Sequence, residues 1–478
     1  MKILQIDDNT WEIPRSGDMR VPGRVYASAR MMESIRQDKS LEQVANVAHL
    51  PGIIKYSLAM PDIHWGYGFP IGGVCATDAL DGVISPGGVG YDINCGVRLV
   101  ATNLSEEQVR PRISTLVKQL FHHVPTGVGA SRAIEKLREK DLREVAQRGA
   151  EWAVQRGFGS VGDIDFIEEQ GCLKNADPDV VGERPWQRGA DQLGTLGSGN
   201  HFLEIGRVDE IYHPEAAARF GLREHGIVVL IHCGSRGFGY QICDDSLKST
   251  MRATEKYGIR LPDRQLACAP IRSDEGRAYL GAMRCAANYA FANRQIIMHL
   301  AERAFVDALG ITEREAGFQL VYDICHNIAK FERHIVDGRE MELCMHRKGA
   351  TRAYGPGSLD IPVKYRDIGQ PVLIPGDMGR YSFLTIGTEQ AMRDTFGSSC
   401  HGAGRQMSRK KAMKESEGRD MIGELRERGV EIQATGKRTI AEEMPHAYKD
   451  VADVVDVMHG AGITLRVARF KPIGVIKG

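Results

Sequence analysis

The sequence predicts an α+β fold, one compact catalytic domain over residues 1–478 with a β-sheet core, peripheral helices and an active site built on loops at strand ends. Three observations lead there. Some segments carry the 3.6-residue apolar period of helices, while short β-rich runs elsewhere stop abruptly in clusters of Gly, His and polar residues. Those clusters recur from Asp62 to the C-terminus, which points to one site assembled from the whole chain. No Pro- or Ser-rich tract, fixed-period repeat or long block of one charge sign divides the chain.

The elements follow in order. Ser105–Gln108 reads as a capping box, after which Ile113, Leu116, Val117, Leu120 and Phe121 share one helical face. Leu137 to Trp152 reads as a second amphipathic helix. Ile227–Ile231 is a strand ending at His232. Gly276–Leu309 is a long Ala-rich helix, expected to break in its middle. Phe318–Ile324 and Val372–Ile374 are strands that end at His326 and at the Pro375–Gly379 turn.

Composition narrows the function classes. Sixty-two Lys and Arg balance 62 Asp and Glu, so bulk basic charge does not hold a polyanion; a local cluster of cations must do it. Hydrophobic residues are 42% and charged residues 26%, as in globular proteins and unlike disordered chains. No apolar run reaches the roughly 18 residues that span a bilayer, and the N-terminus lacks the apolar stretch of a secretory signal; the expected compartment is the cytoplasm. The ten cysteines form no CxxC pair and are expected to be reduced.

Five residues stand out as metal-ligand candidates. Asp92 and Cys95 are three apart in the Gly-rich run Pro86–Gly96, and His201, His232 and His326 lie in separate strand-end clusters. A carboxylate, a thiolate and three imidazoles suit Mn²⁺, Zn²⁺ or Co²⁺ better than Mg²⁺. Two ions sharing the Cys95 thiolate would each keep positions open for a substrate oxygen. A second feature is His401-Gly-Ala-Gly404. Its imidazole is uncrowded and its backbone N–H groups can face an anion, as suits a general base or a nucleophile on phosphorus. The tetrapeptide recurs at His459–Gly462, but only the first copy is followed by Arg405, Arg409, Lys410 and Lys411, which favours His401. A third, basic segment runs from His346 to Arg352; with Arg236 and Arg405 it is a candidate for the local cation cluster, or a solvated face.

Taken together, Met60–Gly66, Pro86–Arg98, Leu193–Ile205, His232–Gly239, His326–His334, His346–Gly357, Ser399–Arg409 and Pro472–Gly478 closely resemble the RtcB family of RNA-splicing ligases. The resemblance implies an enzyme that joins RNA with a 3′-phosphate or 2′,3′-cyclic phosphate to RNA with a 5′-hydroxyl, using GTP and two Mn²⁺ ions. It implies one metal on Asp92, Cys95 and His201 and the other on Cys95, His232 and His326, with His401 as the nucleophile that becomes guanylylated. The implied nucleotide pocket comprises Asn200, His201, Phe202, Leu203, Glu204, His326, Asn327, Pro375, Gly376, Asp377, Met378, Ser382, His401, Gly402, Ala403, Gly404, Tyr448 and Lys477. Arg236, Lys348 and Arg405 are the implied RNA-phosphate contacts, and archease is an implied activating partner. One departure stands out: the family usually carries Ser where this chain has Asp377, a carboxylate that would repel a triphosphate unless it faces guanine N–H groups or a metal-bound water. An enzyme that caps or hydrolyses 3′-phosphates on RNA or DNA without sealing is the alternative. A non-catalytic RNA-binding relic is disfavoured because every ligand candidate and His401 are retained.

Overall fold

The computed structural model describes residues 1–478, organised around two large sheets. The first has seven strands, in the spatial order Leu4–Gln5, Thr10–Ile13, Gly23–Tyr26, Ile53–His64, Ile71–Asp78, Arg339–Lys348 and Asn327–Val336. The second has eight: Gln319–Cys325, Gly96–Ser105, Gly226–Cys233, Phe202–Ile211, Thr464–Lys477, Ser382–Gly387 and Pro371–Ile374 lie in that order, and Glu431–Ala434 adds in parallel to Thr464–Lys477. The chain passes directly from the second sheet to the first at His326, the single residue between strands Gln319–Cys325 and Asn327–Val336. The α+β reading holds.

The uninterrupted apolar run at 227–231 is explained by burial of both faces of the second sheet. Val228 and Leu230 pack into one hydrophobic cluster, and Ile227, Val229 and Ile231 into another. Strand Gly96–Ser105 divides likewise, Val97 and Leu99 on one side and Val100 and Leu104 on the other. Both faces are core.

Two helix expectations need correction. Asp274–Leu309 is one continuous helix of 36 residues, capped by the Ser273 side chain and ended by Gly310 in the left-handed region. Its Ala-rich middle reads as a break only because both sides of the helix are buried there, which removes the amphipathic contrast. The segment Leu137–Trp152 is instead two helices, Glu139–Arg148 and Ala150–Gln155, parted at Gly149 with φ +55°. The capping box at Ser105 and Gln108 is present, and Leu116, Val117 and Leu120 are buried on the helix Ile113–His123. No helix is long and apolar enough to cross a membrane.

Candidate metal centre and nucleotide cavity

Strand register delivers the ligand candidates to one edge of the second sheet. Strands Gln319–Cys325, Gly96–Ser105, Gly226–Cys233 and Phe202–Ile211 are neighbours, with Cys325 opposite Gly96, Gly96 opposite Cys233 and His232 opposite Phe202. His326, Cys95 and His201 therefore flank the same strand ends as His232. Cys95 Sγ lies 3.3 Å from His201 Nε2 and 3.2 Å from His232 Nε2. His201 Nε2 is 2.7 Å from Asp92 Oδ2, and His232 Nε2 is 3.3 Å from His326 Nε2. The result is two triads, Asp92–Cys95–His201 and Cys95–His232–His326, that share one sulfur.

The electrostatics fit a cation. Burial, followed by the Asp92 carboxylate, pushes the Cys95 thiol up to about 12; a thiol held that high ionises at neutral pH only against a positive ion. Burial and then the neighbouring histidines keep His232 and His326 well below the usual imidazole value, so both are neutral and able to ligate. Burial opposes protonation of His201, but the Cys233 sulfur and the Asp92 carboxylate together raise it well above the usual range. Asp92 is fixed from behind by the backbone N–H of Ser235 at 3.1 Å. Gly234 is required there, since a Cβ would stand 2.3 Å from the Asp92 carboxylate.

The framework behind the ligands was not anticipated from sequence. Arg294, fully buried on the long helix, donates to Asp323 at 2.8 Å and to the carbonyls of Asn94 and Cys233 at 2.7 and 2.9 Å. It thereby ties the residue before Cys95 to the residue after His232.

His401 lies beside the second triad, its ring 4.8 Å from that of His326. It follows strand Ser398–Cys400, which pairs with Ala350–Arg352. Asp62, on the long strand Ile53–His64, holds it: one carboxylate oxygen accepts from His401 Nδ1 at 2.6 Å and from the backbone N–H groups of His401 and Gly402 at 2.9 and 3.3 Å. An acceptor at Nδ1 selects the tautomer that leaves the Nε2 lone pair free. Gly404, at φ +71°, allows the close approach, because a Cβ there would lie 2.3 Å from the Asp62 carbonyl oxygen. Lys449 braces the same strand by donating to the carbonyls of Pro61 and Ile63 at 2.9 and 2.6 Å. Asp62 belongs to the quoted run Met60–Gly66, yet nothing in that run assigns it a role. The second tetrapeptide is a different structure: His459 sits at the C-terminal end of helix Val451–Gly460, with its ring against the Thr464 carbonyl.

A cavity of about 410 Å³ opens between the triads and His401. It is lined by Asp92, Cys95, Asn200, Phe202, Glu204, His232, His326, Asn327, Lys348, the Pro375–Met378 loop, His401 to Arg405, Tyr448 and Lys477. Ser382 stands behind this wall, its hydroxyl 3.4 Å from Glu204, and the Leu203 side chain faces the hydrophobic core. Burial and then Asp377 raise Glu204 to about 8. The Asp377 carboxylate itself is engaged: it accepts from the backbone N–H groups of Gly379 and Arg380 at 3.0 and 3.1 Å and pairs with the Arg380 guanidinium. Arg380 also donates to the carbonyls of Pro445, Tyr448 and Lys449, so the pair pins this loop to the segment carrying Tyr448.

The basic candidates are placed differently from one another. Lys348 lines the cavity but is buried, lowered to about 7 by that burial, and donates to the carbonyls of Tyr67 and Phe69. Arg405 lines it too and bridges Glu443 and the Tyr448 hydroxyl at 3.1 and 3.2 Å. Arg236 is outside the lining, bonded to Thr195 and the Gly127 carbonyl. The His346–Arg352 run is neither a phosphate cluster nor a solvated face. Arg347 is buried in a two-bond pair with Glu332 at 2.6 and 2.8 Å, and Arg352 pairs with Glu169 at 2.9 Å. Glu332 stands 15 residues away on the neighbouring strand and Glu169 183 residues away, so the run itself does not disclose its partners.

Comparison with known proteins agrees with this geometry. A family model described as tRNA-splicing ligase RtcB matches residues 43–478. A tRNA-splicing ligase RtcB of Archaeoglobus fulgidus is 52% identical over 478 residues, covering 100% of this chain and 99% of its own. That of Thermococcus kodakarensis is 52% identical over 477 residues, and that of Nanoarchaeum equitans 47% over 479, covering 99% and 100% of their own lengths. End-to-end likeness at this level, on a chain whose ligand candidates converge as described, leads to one conclusion: this chain belongs to the tRNA-splicing ligase RtcB family, a family of ligase enzymes.

Proposed function

We propose that this chain is a cytoplasmic, GTP-dependent RNA ligase that joins a 3′-phosphate or 2′,3′-cyclic phosphate end to a 5′-hydroxyl end. The supporting observation is the placement of His401: its Nδ1 is tied to Asp62, and its ring stands beside a pair of triads that share Cys95. Mn²⁺ ions on Asp92–Cys95–His201 and Cys95–His232–His326 would neutralise phosphate oxygens.

His401 Nε2 attacks the α-phosphorus of GTP, making an N–P bond as pyrophosphate leaves. A 3′-phosphate is anionic and lacks a leaving group, so His401 then yields GMP to an oxygen of the RNA 3′-phosphate. The 5′-hydroxyl displaces GMP from that activated end. Asp62 holds the nucleophile and stabilises the positive charge that develops on its imidazole. Glu204, Asp377, Tyr448 and Lys477 line the nucleotide pocket, with Ser382 behind Glu204 and Tyr448 the candidate to stack on guanine. Asp377 lines it with its charge already paired to Arg380. Arg236 and Arg405 serve the RNA phosphates, Lys348 being buried against the carbonyls of Tyr67 and Phe69, and an archease-type protein is the expected activator.

The test combines purified protein, GTP, Mn²⁺ and RNA strands bearing the two ends. Sealed product from the natural chain, with no covalent GMP on a His401→Ala variant, supports the proposal. Capped 3′ ends that never seal, with or without archease, would replace it with the end-capping reading that Asp377 keeps in view.

A further inference from the structure

We propose that Tyr67, Tyr91 and Tyr240 form a stacking track for unpaired bases of the RNA strand that ends in the 3′-phosphate, leading it to the Asp92 side of the metal centre. This rests on the function proposed above. It concerns rings that run from the cavity wall out to solvent and are not among the residues assigned to the nucleotide.

The rings are consecutive in space although distant in sequence. Tyr67 and Tyr91 both line the cavity, and Tyr91 immediately precedes the ligand Asp92. The rings of Tyr67 and Tyr91 meet edge to face with centroids 5.9 Å apart, and Tyr91 stacks on Tyr240 at 5.0 Å with 27° between planes. Tyr240 is 47% exposed, so the stack begins in the cavity wall and ends at solvent. Beyond Tyr240 lies the exposed Arg188 guanidinium, over the ring and 5.2 Å from its centroid, so the stack ends at solvent in a cationic plane backed by an aromatic ring. Nucleobases use such faces regardless of sequence.

Charge selects the strand. The Arg188 guanidinium over Tyr240 places a cation at the outer end of the stack. A cation beside the outer ring fits a phosphate backbone, and local positive charge is what a chain of zero net charge needs. A strand laid along this track brings its terminus to Asp92, where a terminal phosphate meets the ligand triads. A 5′-hydroxyl terminus carries no charge to be drawn there.

Binding of a fluorescent single-stranded RNA with a 3′-phosphate, followed by anisotropy in GTP-free buffer, tests the track. Tyr240→Ala should weaken binding about tenfold, within the range for loss of one base–aromatic stack. Tyr240→Phe should restore affinity to within about twofold, whereas Tyr240→Leu, which keeps bulk but no π-face, should behave like the alanine variant. Abasic sites at the 3′-terminal nucleotides should erase the difference between Tyr and Ala. Equal binding by Tyr240→Ala and the natural chain, full rescue by leucine, or a loss that persists with the abasic strand would each overturn the track. A loss confined to strands with a 5′-hydroxyl and no 3′-phosphate would overturn the strand assignment. Melting temperatures identify any variant that fails to fold. Absence of RNA binding by the natural chain would count against the proposed ligase, a result distinct from failure of the track.

Discussion

On the proposed mechanism, replacing Asp62 separates positioning of His401 from chemistry at the two triads. One oxygen of this fully buried carboxylate takes three hydrogens, from His401 Nδ1, the His401 backbone and the Gly402 backbone, at 2.6, 2.9 and 3.3 Å. Its other oxygen has no protein partner. Asp62→Asn can place its amide oxygen in the occupied position and preserve all three bonds without the charge. The charge-assisted increment on the Nδ1 bond is then lost, on the order of 1.5 kcal/mol, so self-guanylylation should slow roughly tenfold. Asp62→Ala removes every acceptor. The imidazole loses its orientation and tautomer preference, and the rate should fall about 10²- to 10⁴-fold. The orphaned buried donors should also cost about 2–4 kcal/mol of folding stability. Initial rates of label transfer from [α-³²P]GTP to protein measure the first effect and urea unfolding the second. An alanine variant that guanylylates at the natural rate would refute the positioning role.

Three further outcomes are expected. His401→Ala should abolish the protein–GMP adduct while His459→Ala leaves it at full strength, read by gel autoradiography; the reverse pattern would move the nucleophile to the second tetrapeptide. Arg380→Ala leaves the Asp377 carboxylate buried without its guanidinium and should destabilise the protein by about 2–3 kcal/mol in denaturant unfolding, Arg380 being partly exposed. Adding Asp377→Ser should recover part of that loss. Glu204, raised to about 8 in the folded chain from an ordinary value near 4.5, binds its proton more tightly folded than unfolded. Its stabilising protonation is complete below about pH 4.5 and is lost as pH rises through about 8. Glu204→Gln should therefore flatten the decline in stability across that window, in unfolding curves collected without nucleotide or metal; an unchanged profile would show that Glu204 is not buried as described.

Some of the site was legible in sequence because its chemistry is local. Asp92 and Cys95 share one turn, and His232 and His326 each close an apolar run, so residue type and strand end coincide. Their meeting at one edge needed the strand order, which no single segment encodes. Asp62 was silent for another reason: its partner His401 lies 339 residues away, and an acidic residue inside an apolar strand has no periodic signature. Arg347 and Arg352 misled because a cationic run on a surface and one buried against glutamates outside the run are spelled alike. The long helix looked broken where it is merely enclosed. Local pattern predicted the fold class, the helix that begins at Ile113 and the strands at 227–231, 318–324 and 372–374. The long-range ion pairs that fix the site needed three dimensions.

The sharing of Cys95 between two ions is tested most directly by anomalous scattering from crystals grown with Mn²⁺, comparing the natural chain with Cys95→Ser. Two peaks flanking the sulfur, one toward Asp92 and His201 and one toward His232 and His326, with both diminished in the serine variant, are the expected result. A single peak, or two that keep full occupancy without the thiolate, would contradict it.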